Sequence, residues 1–259
     1  MTSVALLGSR PLSRACLKAL HESDDINVKA IVTYPPDHKG WWEGSLYDLA
    51  TDLGYPIVDE SDLYNYKIDY LISTLYFNIL EEDLINHAED GGLNLHQAEL
   101  PRYRGSNTFS HAIMNARKDD YWKYGTTLHF MTKNVDKGDI IGRKFVDITK
   151  EDTAYTLYQK IEQASIELFK NTIPDIVSGE IHNMRTPQTE YEGKKYFYNK
   201  DSLDDKKEIP SEKFCNPDTQ TEVYDKVRAL DFPPFEPAYT LVGENKVYLT
   251  KLAYQEILN

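Results

Sequence analysis

An Asn and a His lie two residues apart in the segment NLHQAELPRYRG, residues 94–105, directly after a strand-like run. Side chains at positions i and i+2 of an extended segment project to the same side, so Asn94 and His96 are predicted to face one small volume. An amide donor beside an imidazole suits chemistry on a carbonyl, where a negative oxygen develops and a proton must move.

A carboxylate in a second segment extends this pair. Asp136 lies in KNVDKG, the turn that follows the strand-like segment YGTTLHFMT. A carboxylate near an imidazole fixes its tautomer and stabilises its protonated form. No Ser or Cys stands in a nucleophile elbow, so the group favours acyl transfer to a bound amine without a covalent enzyme intermediate. We interpret His129, in the same strand-like segment, as a core imidazole whose hydrogen bonds are satisfied.

Short apolar runs alternate with amphipathic segments before this site. The runs SVALLG, VKAIVTY, YPIV, DYLIST and GGLNLH are typical of strands, and PLSRACLKAL, GSLYDLATDLG and ILEEDLINHAED are typical of helices. This alternation predicts an α/β protein with a Rossmann-like, mostly parallel sheet that helices cover on both faces. In such sheets ligands bind at the carboxyl ends of the strands, which is where Asn94 and His96 lie.

The pattern changes in the second half of the chain. YGTTLHFMT and DIIGRKFVDI predict two more strands, and residues 153–178 predict a long helix. After residue 183 the sequence becomes charged and aromatic, with weak periodicity. We therefore predict a catalytic domain at residues 1–182 and a small C-terminal α+β appendage at residues 183–259, which contributes to the acceptor site and ends in a hairpin.

Composition limits the possible partners. The chain has 259 residues, 41% of them hydrophobic, and a formal net charge of −13, which argues against a large nucleic-acid surface. No apolar run resembles the core of a signal peptide, and none approaches the roughly 20 residues that span a bilayer. We therefore expect a cytoplasmic protein with no membrane contact. A homodimer is the default oligomeric state.

The sequence resembles the N10-formyltetrahydrofolate-dependent formyltransferases. The resemblance rests on NLHQAELPRYRG, on the SHAI that follows it and on GTTLHFMTKNVDKGDII. That family carries an Asn-x-His pair, a Leu-Pro-x-x-x-Gly loop and a carboxylate in a Val-Asp-x-Gly turn, which correspond here to Asn94, His96 and Asp136. The resemblance implies the formyltransferase fold and covers about residues 1–180.

The resemblance also implies a mechanism without a metal. The acceptor amine attacks the formyl carbon of the folate, Asn94 and His96 donate hydrogen bonds to the oxyanion, and Asp136 orients His96 and helps to relay the proton. The pterin ring of the donor is expected in a slot between STLYFNIL and TKNVDKGD, although Phe77 and Ile79 are as easily core residues. The implied folate contacts are Leu75, Tyr76, Phe77, Ile79, Lys133, Val135 and Asp139.

Within the family, the tail KVRALDFPPFEPAYTLVG is most similar to enzymes that formylate nucleotide-linked amino sugars for carbohydrate and lipopolysaccharide biosynthesis. The tRNA-directed members carry a larger C-terminal domain and a basic surface, whereas this chain has a short acidic ending. A nucleotide base favours an aromatic face and a pyrophosphate favours Arg or Lys. The predicted acceptor contacts are Ser9, Arg10, Arg104, Ser106, Asn107, Tyr196, Phe197, Arg228 and Phe232.

Several of these contacts have a structural alternative of equal weight. Ser9 and Arg10 could form a bare structural turn, Arg104 could be a solvated loop charge, and Phe232 could pin the tail to the main domain. Two other functions use the same residues. One is a formyltetrahydrofolate hydrolase with water as the acceptor, and the other is a binding module for folate or a nucleotide sugar without catalysis.

Overall fold

A computed structural model describes residues 1–214, 216 and 218–252. Residues 215, 217 and 253–259 of the predicted appendage lie outside the described residues. The helices are α1 (Pro11–His21), α2 (Leu46–Asp52), α3 (Glu82–His87), α4 (Thr108–Asp119), α5 (Ala154–Ser178) and α6 (Gln220–Leu230). The strands are β1 (Thr2–Gly8), β2 (Ile26–Val32), β3 (Tyr70–Thr74), β4 (Gly91–His96), β5 (Tyr103–Gly105), β6 (Lys123–Phe130), β7 (Ile140–Asp147), β8 (Tyr196–Tyr198), β9 (Ala238–Val242) and β10 (Asn245–Leu249).

The central sheet has the strand order β2-β1-β3-β4-β6-β7. Strand β1 pairs in parallel with β2 and β3, and β3 pairs in parallel with β4, whereas β4 and β6 are antiparallel. The predicted mostly parallel sheet is therefore confirmed. Because parallel strands end at the same edge, the carboxyl ends of β1, β2, β3 and β4 lie along one side of the sheet.

Both faces of this sheet are covered. Along β1, Val4 and Leu6 pack in one apolar core with Leu12 of α1, whereas Leu7 packs in a second core with Leu84 of α3. Alternate residues of a strand point to opposite faces, so the two cores lie on the two sides of the sheet. Each fully buried Leu contributes about 1.5–3 kcal/mol relative to an exposed one. This packing confirms the predicted helices on both faces.

The chain divides into two compact units, each made of three separate segments. Unit 1 comprises Met1–Pro101, Gly125–Lys144 and Glu162–Gly193. Unit 2 comprises Arg102–Tyr124, Phe145–Ile161 and Lys194–Asn259. Unit 1 contains both of the cores described above. The predicted domain boundary between residues 182 and 183 remains a prediction.

Unit 2 has an apolar core of its own, and the predicted terminal hairpin is confirmed there. Strands β9 and β10 are antiparallel and pair from Ala238–Leu249 to Val242–Asn245. Ala238 and Leu249 are buried together with side chains of α6. The short strands β5 and β8 form a separate parallel pair, which the sequence pattern did not predict because each has only three residues.

One predicted strand is wrong. The segment YPIV, residues 55–58, contributes only a single bridge, from Ile57 to Ile31. Pro56 has no backbone N–H to donate, so the ladder does not extend through this position. The predicted helix at residues 79–90 is also shorter than expected, since only Glu82–His87 is helical. No helix among the described residues is long and apolar enough to cross a membrane.

Candidate active site

Strand β4 carries Asn94 and His96 on one face. Its buried positions alternate with half-buried ones, so Leu93 and Leu95 pack into the core while Asn94 and His96 point to the other side. The end of the strand is held by hydroxyl groups. Thr126 Oγ1 donates to the His96 carbonyl at 3.0 Å. The side chains of Asn94 and His96 line the same cavity.

Asp136 reaches this cavity from the loop between β6 and β7. Its φ of +56° lies in the left-handed region, which Asp tolerates better than most residues. Gln188 Nε2 donates to the carbonyl oxygens of Asp136 and Gly138, at 3.0 and 2.7 Å. A Cβ atom at position 138 would collide with the Phe130 carbonyl, so only glycine allows the loop to pack this closely. The carboxylate is therefore placed by a loop of fixed shape.

The imidazole of His96 and the carboxylate of Asp136 both line the cavity. His96 Nδ1 is 3.8 Å from Asp136 Oδ1, which is longer than a hydrogen bond. The side chains are only 17% and 13% exposed. His96 Nε2 is buried and has no hydrogen-bond partner among the described residues. A buried imidazole nitrogen without a partner costs about 1–3 kcal/mol, so this atom marks a position that a ligand can satisfy.

The structure adds His129 to this group. His129 is 1% exposed, and its Nε2 lies 3.1 Å from Asn94 Nδ2 and 3.7 Å from Asp136 Oδ1. Its Nδ1 lies 2.8 Å from the Phe130 carbonyl oxygen. The interpretation as a buried imidazole with hydrogen bonds is consistent with these contacts, but the ring is also part of the site. The sequence carries no signal for this role of His129, because it depends on the cross-strand register of β4 and β6.

The cavity at these residues has a volume of about 270 Å³. Five of the seven predicted folate contacts line it, whereas Lys133 and Asp139 do not. Phe77, Ile79 and Val135 are 41%, 74% and 52% exposed, which is unusual for large apolar side chains grouped around one opening. Four more lining residues belong to the two segments predicted to form the slot, namely Ser73, Asn78, Leu80 and Thr132. The sequence missed Ile85 of α3, Leu95 of β4 and Met131, which directly follows β6.

Leu75 has an unfavourable backbone conformation at the mouth of this cavity. Its φ is +53°, although a Leu at positive φ costs on the order of 1–3 kcal/mol. It follows β3 directly, and its carbonyl accepts a hydrogen bond from Ser9 Oγ at 3.2 Å. Such strain is retained where the surrounding structure needs that geometry. Here it turns the chain at the carboxyl edge of the sheet.

A second cavity of about 420 Å³ lies in unit 1, after the carboxyl ends of β1 and β2. Its lining includes the hydroxyl groups of Ser9 and Tyr34, the Trp42 ring and the charged side chains of Lys39 and Asp48. Ser9 and the Leu75 carbonyl connect it to the first cavity. Aromatic rings next to a few polar groups are typical of pockets for small molecules.

The predicted acceptor contact Arg10 lies close to two tryptophan rings. Its guanidinium carbon is 5.6 Å from the ring centre of Trp41 and 5.5 Å from that of Trp42. Both distances fall within the range of cation–π attraction. The two rings meet edge to face, with centres 5.8 Å apart. Arg10 thereby ties the loop at residues 41–44 to the start of α1.

The predicted contacts at residues 104–107 lie in unit 2. Arg104 is half-buried in β5, and the Ser106 N–H donates to the Tyr198 carbonyl at 2.8 Å. Asn107 precedes α4 with a φ of +58°, and its Nδ2 donates to the Lys200 carbonyl at 2.9 Å. The side chain of Asn107 is therefore used within unit 2.

The neighbouring pair Tyr196 and Phe197 differ in exposure. The Tyr196 hydroxyl donates to Asp119 Oδ2 at 2.8 Å, and its ring stacks on Tyr103 with centres 5.5 Å apart. Burial raises the pKa of Tyr196, and the hydrogen bond to Asp119 raises it further. Phe197 is 70% exposed. Tyr196 is thus held by its neighbours, whereas Phe197 presents an open ring.

Arg228 and Phe232 contact other parts of unit 2. Arg228 is 0% exposed, and its Nε donates to Asp225 Oδ1 at 2.9 Å while Nη1 donates to the Asp152 carbonyl at 2.9 Å. A guanidinium so enclosed cannot meet a pyrophosphate directly, which favours a structural role. The Phe232 ring packs edge-on against Tyr155, with centres 5.4 Å apart.

The arrangement around the first cavity suits chemistry at a carbonyl. The amide of Asn94 and the imidazole of His96 supply two groups that can donate to one oxygen, and the Asp136 carboxylate lines the same cavity 3.8 Å from His96 Nδ1. Within the described ranges, no group of three or more His, Cys, Asp or Glu residues is arranged to hold a metal ion.

Comparison with known proteins relates the chain to formyl-transferring enzymes. The model of the formyl transferase family matches residues 58–173. Methionyl-tRNA formyltransferase from Lysinibacillus sphaericus (strain C3-41) is 29% identical over 203 residues, which cover 73% of this chain and 63% of that protein. The chain spans 60–63% of the length of the curated relatives that it matches first.

Solved structures extend the likeness over nearly the whole chain. A 4-N formyltransferase from Francisella tularensis has a TM-score of 0.74 at 19% identity and covers 96% of both chains. The N-formyltransferase from Helicobacter canadensis, solved with folinic acid and dTDP-3-aminofucose, has a TM-score of 0.72 at 19% identity. That match covers 95% of this chain and 86% of the other. At this identity the likeness establishes the fold and confirms that prediction.

Proposed function

Because the chain carries a formyl transferase domain at residues 58–173, we propose that it transfers a formyl group from N10-formyltetrahydrofolate to the amine of a nucleotide-linked amino sugar. The observation that carries the proposal is the convergence of Asn94, His96 and Asp136 on one cavity of about 270 Å³. Those three side chains come from two segments separated by about 40 residues of sequence. Their meeting at the carboxyl edge of the sheet supports a common chemical task.

The acceptor amine attacks the formyl carbon directly. As the new C–N bond forms and the carbonyl becomes tetrahedral, Asn94 and His96 donate hydrogen bonds to its oxygen. The bond from the formyl carbon to N10 of the folate then breaks, and one amine proton passes to N10 directly or through water, with help from Asp136. The 3.8 Å separation of His96 Nδ1 and Asp136 Oδ1 closes to a hydrogen bond when the substrates bind.

The donor occupies the first cavity. A flat pterin ring fits between the apolar side chains of Leu75, Phe77 and Val135, which line this opening. The exposure of Phe77 and Val135 supports the assignment, since burial by a ligand would remove their apolar surface from water. Lys133 and Asp139 belong to the same loop but not to the lining, and their contact with the donor remains a prediction.

The sugar of the acceptor occupies the second cavity. Its ring surfaces and its mixture of hydroxyl, ammonium and carboxylate groups suit a polar ring with several hydroxyls. Ser9, which lines it, bonds the Leu75 carbonyl at the mouth of the donor cavity. For Trp42→Ala we expect a KM for the acceptor raised about tenfold with the KM for the folate unchanged, and the reverse pattern would assign this cavity to the folate.

Two observations favour an amino sugar over a tRNA. The net charge of −13 is unsuited to a polyanionic partner, whose binding needs several Lys or Arg contacts to phosphate. Solved structures described as sugar N-formyltransferases also match this chain over 95–96% of its length. The second candidate is a tRNA-directed activity, which the 29% identity to a methionyl-tRNA formyltransferase supports.

The test is an acceptor panel with purified protein and N10-formyltetrahydrofolate. We expect folate-dependent N-formylation of at least one amino sugar linked to dTDP, UDP, GDP or CMP, and loss of that activity in His96→Ala. Formylation of Met-tRNA but of no sugar would contradict the proposal and support the second candidate. Formate release at the same rate with and without amines would indicate the hydrolase. Folate binding without any transfer would indicate a binding module.

Three further expectations remain predictions. They are a homodimeric assembly, a cytoplasmic location and the use of the product in carbohydrate biosynthesis, such as that of lipopolysaccharide. The acceptor contacts predicted in unit 2 also remain predictions. Of these, Phe197 keeps the most open side chain, at 70% exposure.

A further inference from the structure

The pairing of β4 with β6 places a buried imidazole directly beside the Asn94 amide. In this antiparallel pair Asn94 lies opposite His129, and opposite residues point to the same face of a sheet. The His129 ring is 1% exposed. Asn94 Nδ2 lies 3.1 Å from His129 Nε2. The orientation of the amide therefore depends on which nitrogen of this ring carries the proton.

The Phe130 carbonyl decides the tautomer of His129. Its oxygen lies 2.8 Å from His129 Nδ1, and a carbonyl oxygen only accepts hydrogen bonds. Nδ1 must therefore carry the proton. In the neutral ring Nε2 then has a lone pair and acts as an acceptor.

An acceptor at Nε2 selects one of the two orientations of the Asn94 amide. The NH2 group can donate to the lone pair, whereas the flipped amide would place Oδ1 against it, and the two lone pairs would repel each other. One N–H of the amide is then fixed on His129, and the second N–H of the same nitrogen is left to donate to a ligand in the cavity. Asn94 lines that cavity.

The Asp136 carboxylate competes for the same nitrogen. Asp136 Oδ1 is 3.7 Å from His129 Nε2, too far for a hydrogen bond but near enough to attract a proton there. If Nε2 carried a proton, that proton would be attracted to Asp136. The Nε2–H group would then face the NH2 group of Asn94 as a second donor, so no hydrogen bond could form between them. The Phe130 carbonyl favours the tautomer with the proton on Nδ1, because Nδ1 donates to it.

We propose that His129 is a positioning residue that, as its Nδ1–H tautomer, locks the Asn94 amide with its NH2 group toward the reacting carbonyl. The inference rests on the proposed function, in which Asn94 donates to the oxyanion. His129 is 1% exposed and borders the cavity behind Asn94 in the β4–β6 pair. Its effect on catalysis runs through Asn94.

The kinetic test compares His129→Leu with His129→Gln. Leu cannot accept a hydrogen bond, so we expect kcat to fall at least tenfold while both KM values stay within about twofold. Gln places an amide oxygen near the position of Nε2, so it should restore most of the lost kcat. His87→Leu is the control, because His87 bonds the Tyr66 carbonyl at 3.0 Å and is not part of the cavity lining. Equal losses in the Leu and Gln variants would overturn the proposal and leave packing as the explanation.

A double-mutant cycle tests the connection to Asn94. If His129 acts through the amide, Asn94→Ala should cost much less in the His129→Leu background than in the wild-type protein. Additive losses in kcat would show that His129 does not act through Asn94 and would contradict the proposal.

A spectroscopic measurement separates this inference from the proposed reaction. Nitrogen-15 NMR of the wild-type imidazole should show a protonated Nδ1 and an unprotonated Nε2 at neutral pH. A protonated Nε2 would overturn the proposal even if the enzyme transfers formyl groups. If the protein shows the expected tautomer but formylates no acceptor, the orientation of Asn94 by His129 is supported and the proposed reaction is refuted.

Discussion

Two buried polar side chains, His96 at the cavity of unit 1 and Arg228 in unit 2, differ in how their hydrogen bonds are used. In unit 1, His96 Nε2 is buried without a hydrogen-bond partner among the described residues. In unit 2, the Arg228 side chain is 0% exposed, and its Nε and Nη1 donate to Asp225 and to the carbonyl oxygens of Thr149 and Asp152, while Nη2 lies 2.9 Å from Asp225 Oδ1 in an ion pair. The sequence patterns had assigned both residues to substrates.

The difference indicates how a binding side chain can be told from a structural one. A buried polar atom without a partner is costly and is kept where a ligand supplies the missing bond. A buried charge with protein partners on several sides stabilises the fold and has little capacity left for a ligand. This criterion favours a ligand-binding role for His96 and a structural role for Arg228 in unit 2.

The largest expected effect is that of His96→Ala on turnover. Removing one donor to an oxyanion lowers kcat on the order of 10²–10³-fold, and the fold should remain because His96 lies at the end of a strand. Steady-state formyl transfer measures the loss, and circular dichroism checks the fold. Turnover within tenfold of the wild type would remove His96 from the site.

Arg228→Met should act on stability instead. Breaking a buried ion pair costs about 3–5 kcal/mol, and we expect the lower end because Arg117 remains bound to Asp225 at 2.7 Å. Urea denaturation measures the change, and the KM for the acceptor should stay unchanged in the folded protein. A raised acceptor KM with unchanged stability would indicate that Arg228 binds the substrate and would contradict its structural role.

His111 gives unit 2 a pH dependence. Burial lowers the pKa of His111 to about 4, and the nearby Lys206 acts in the same direction. Because the unfolded residue titrates near 6.5, its stabilising effect is complete above that pH and is lost as the pH falls from about 6.5 to 4. Between pH 7 and pH 5 the wild type should lose about 2 kcal/mol more than His111→Asn, measured by urea denaturation. Parallel losses in the two proteins would contradict this.

The smallest effect concerns exposed aromatic rings. Phe77→Ala should raise the KM for the folate roughly three- to tenfold with little change in stability, since a ring on the cavity wall contributes about 0.5–1.5 kcal/mol. Phe145→Ala is the matched control, because Phe77 and Phe145 are 41% and 43% exposed but only Phe77 lines the cavity. Equal KM values in both variants would argue against donor binding at Phe77.

Much of the fold followed from local pattern. The period of the apolar residues predicted the helix at Pro11–His21 and the strand at Gly91–His96, and burial of their apolar positions agrees with it. YPIV was wrong because a single Pro56 interrupts the ladder, an effect that apolar content does not reveal. The pair β5 and β8 was missed because three-residue strands carry no period.

For the site, sequence identified residue types but not their partners. Asn94, His96 and Asp136 stood out because spacing and turn context are local properties. The place of His129 depends on cross-strand register, and the burial of Arg228 depends on contacts with residues 76–79 positions away in sequence. Such long-range pairing cannot be read from a single chain.

The most direct test is a crystal structure of the protein with a stable N10-formyl folate analogue. We expect the ring between Leu75 and Val135, with the formyl oxygen within about 3.2 Å of Asn94 Nδ2 and of His96 Nε2. A formyl oxygen more than about 5 Å from both atoms, or an analogue bound outside this cavity, would contradict the assignment of these side chains to the reacting carbonyl.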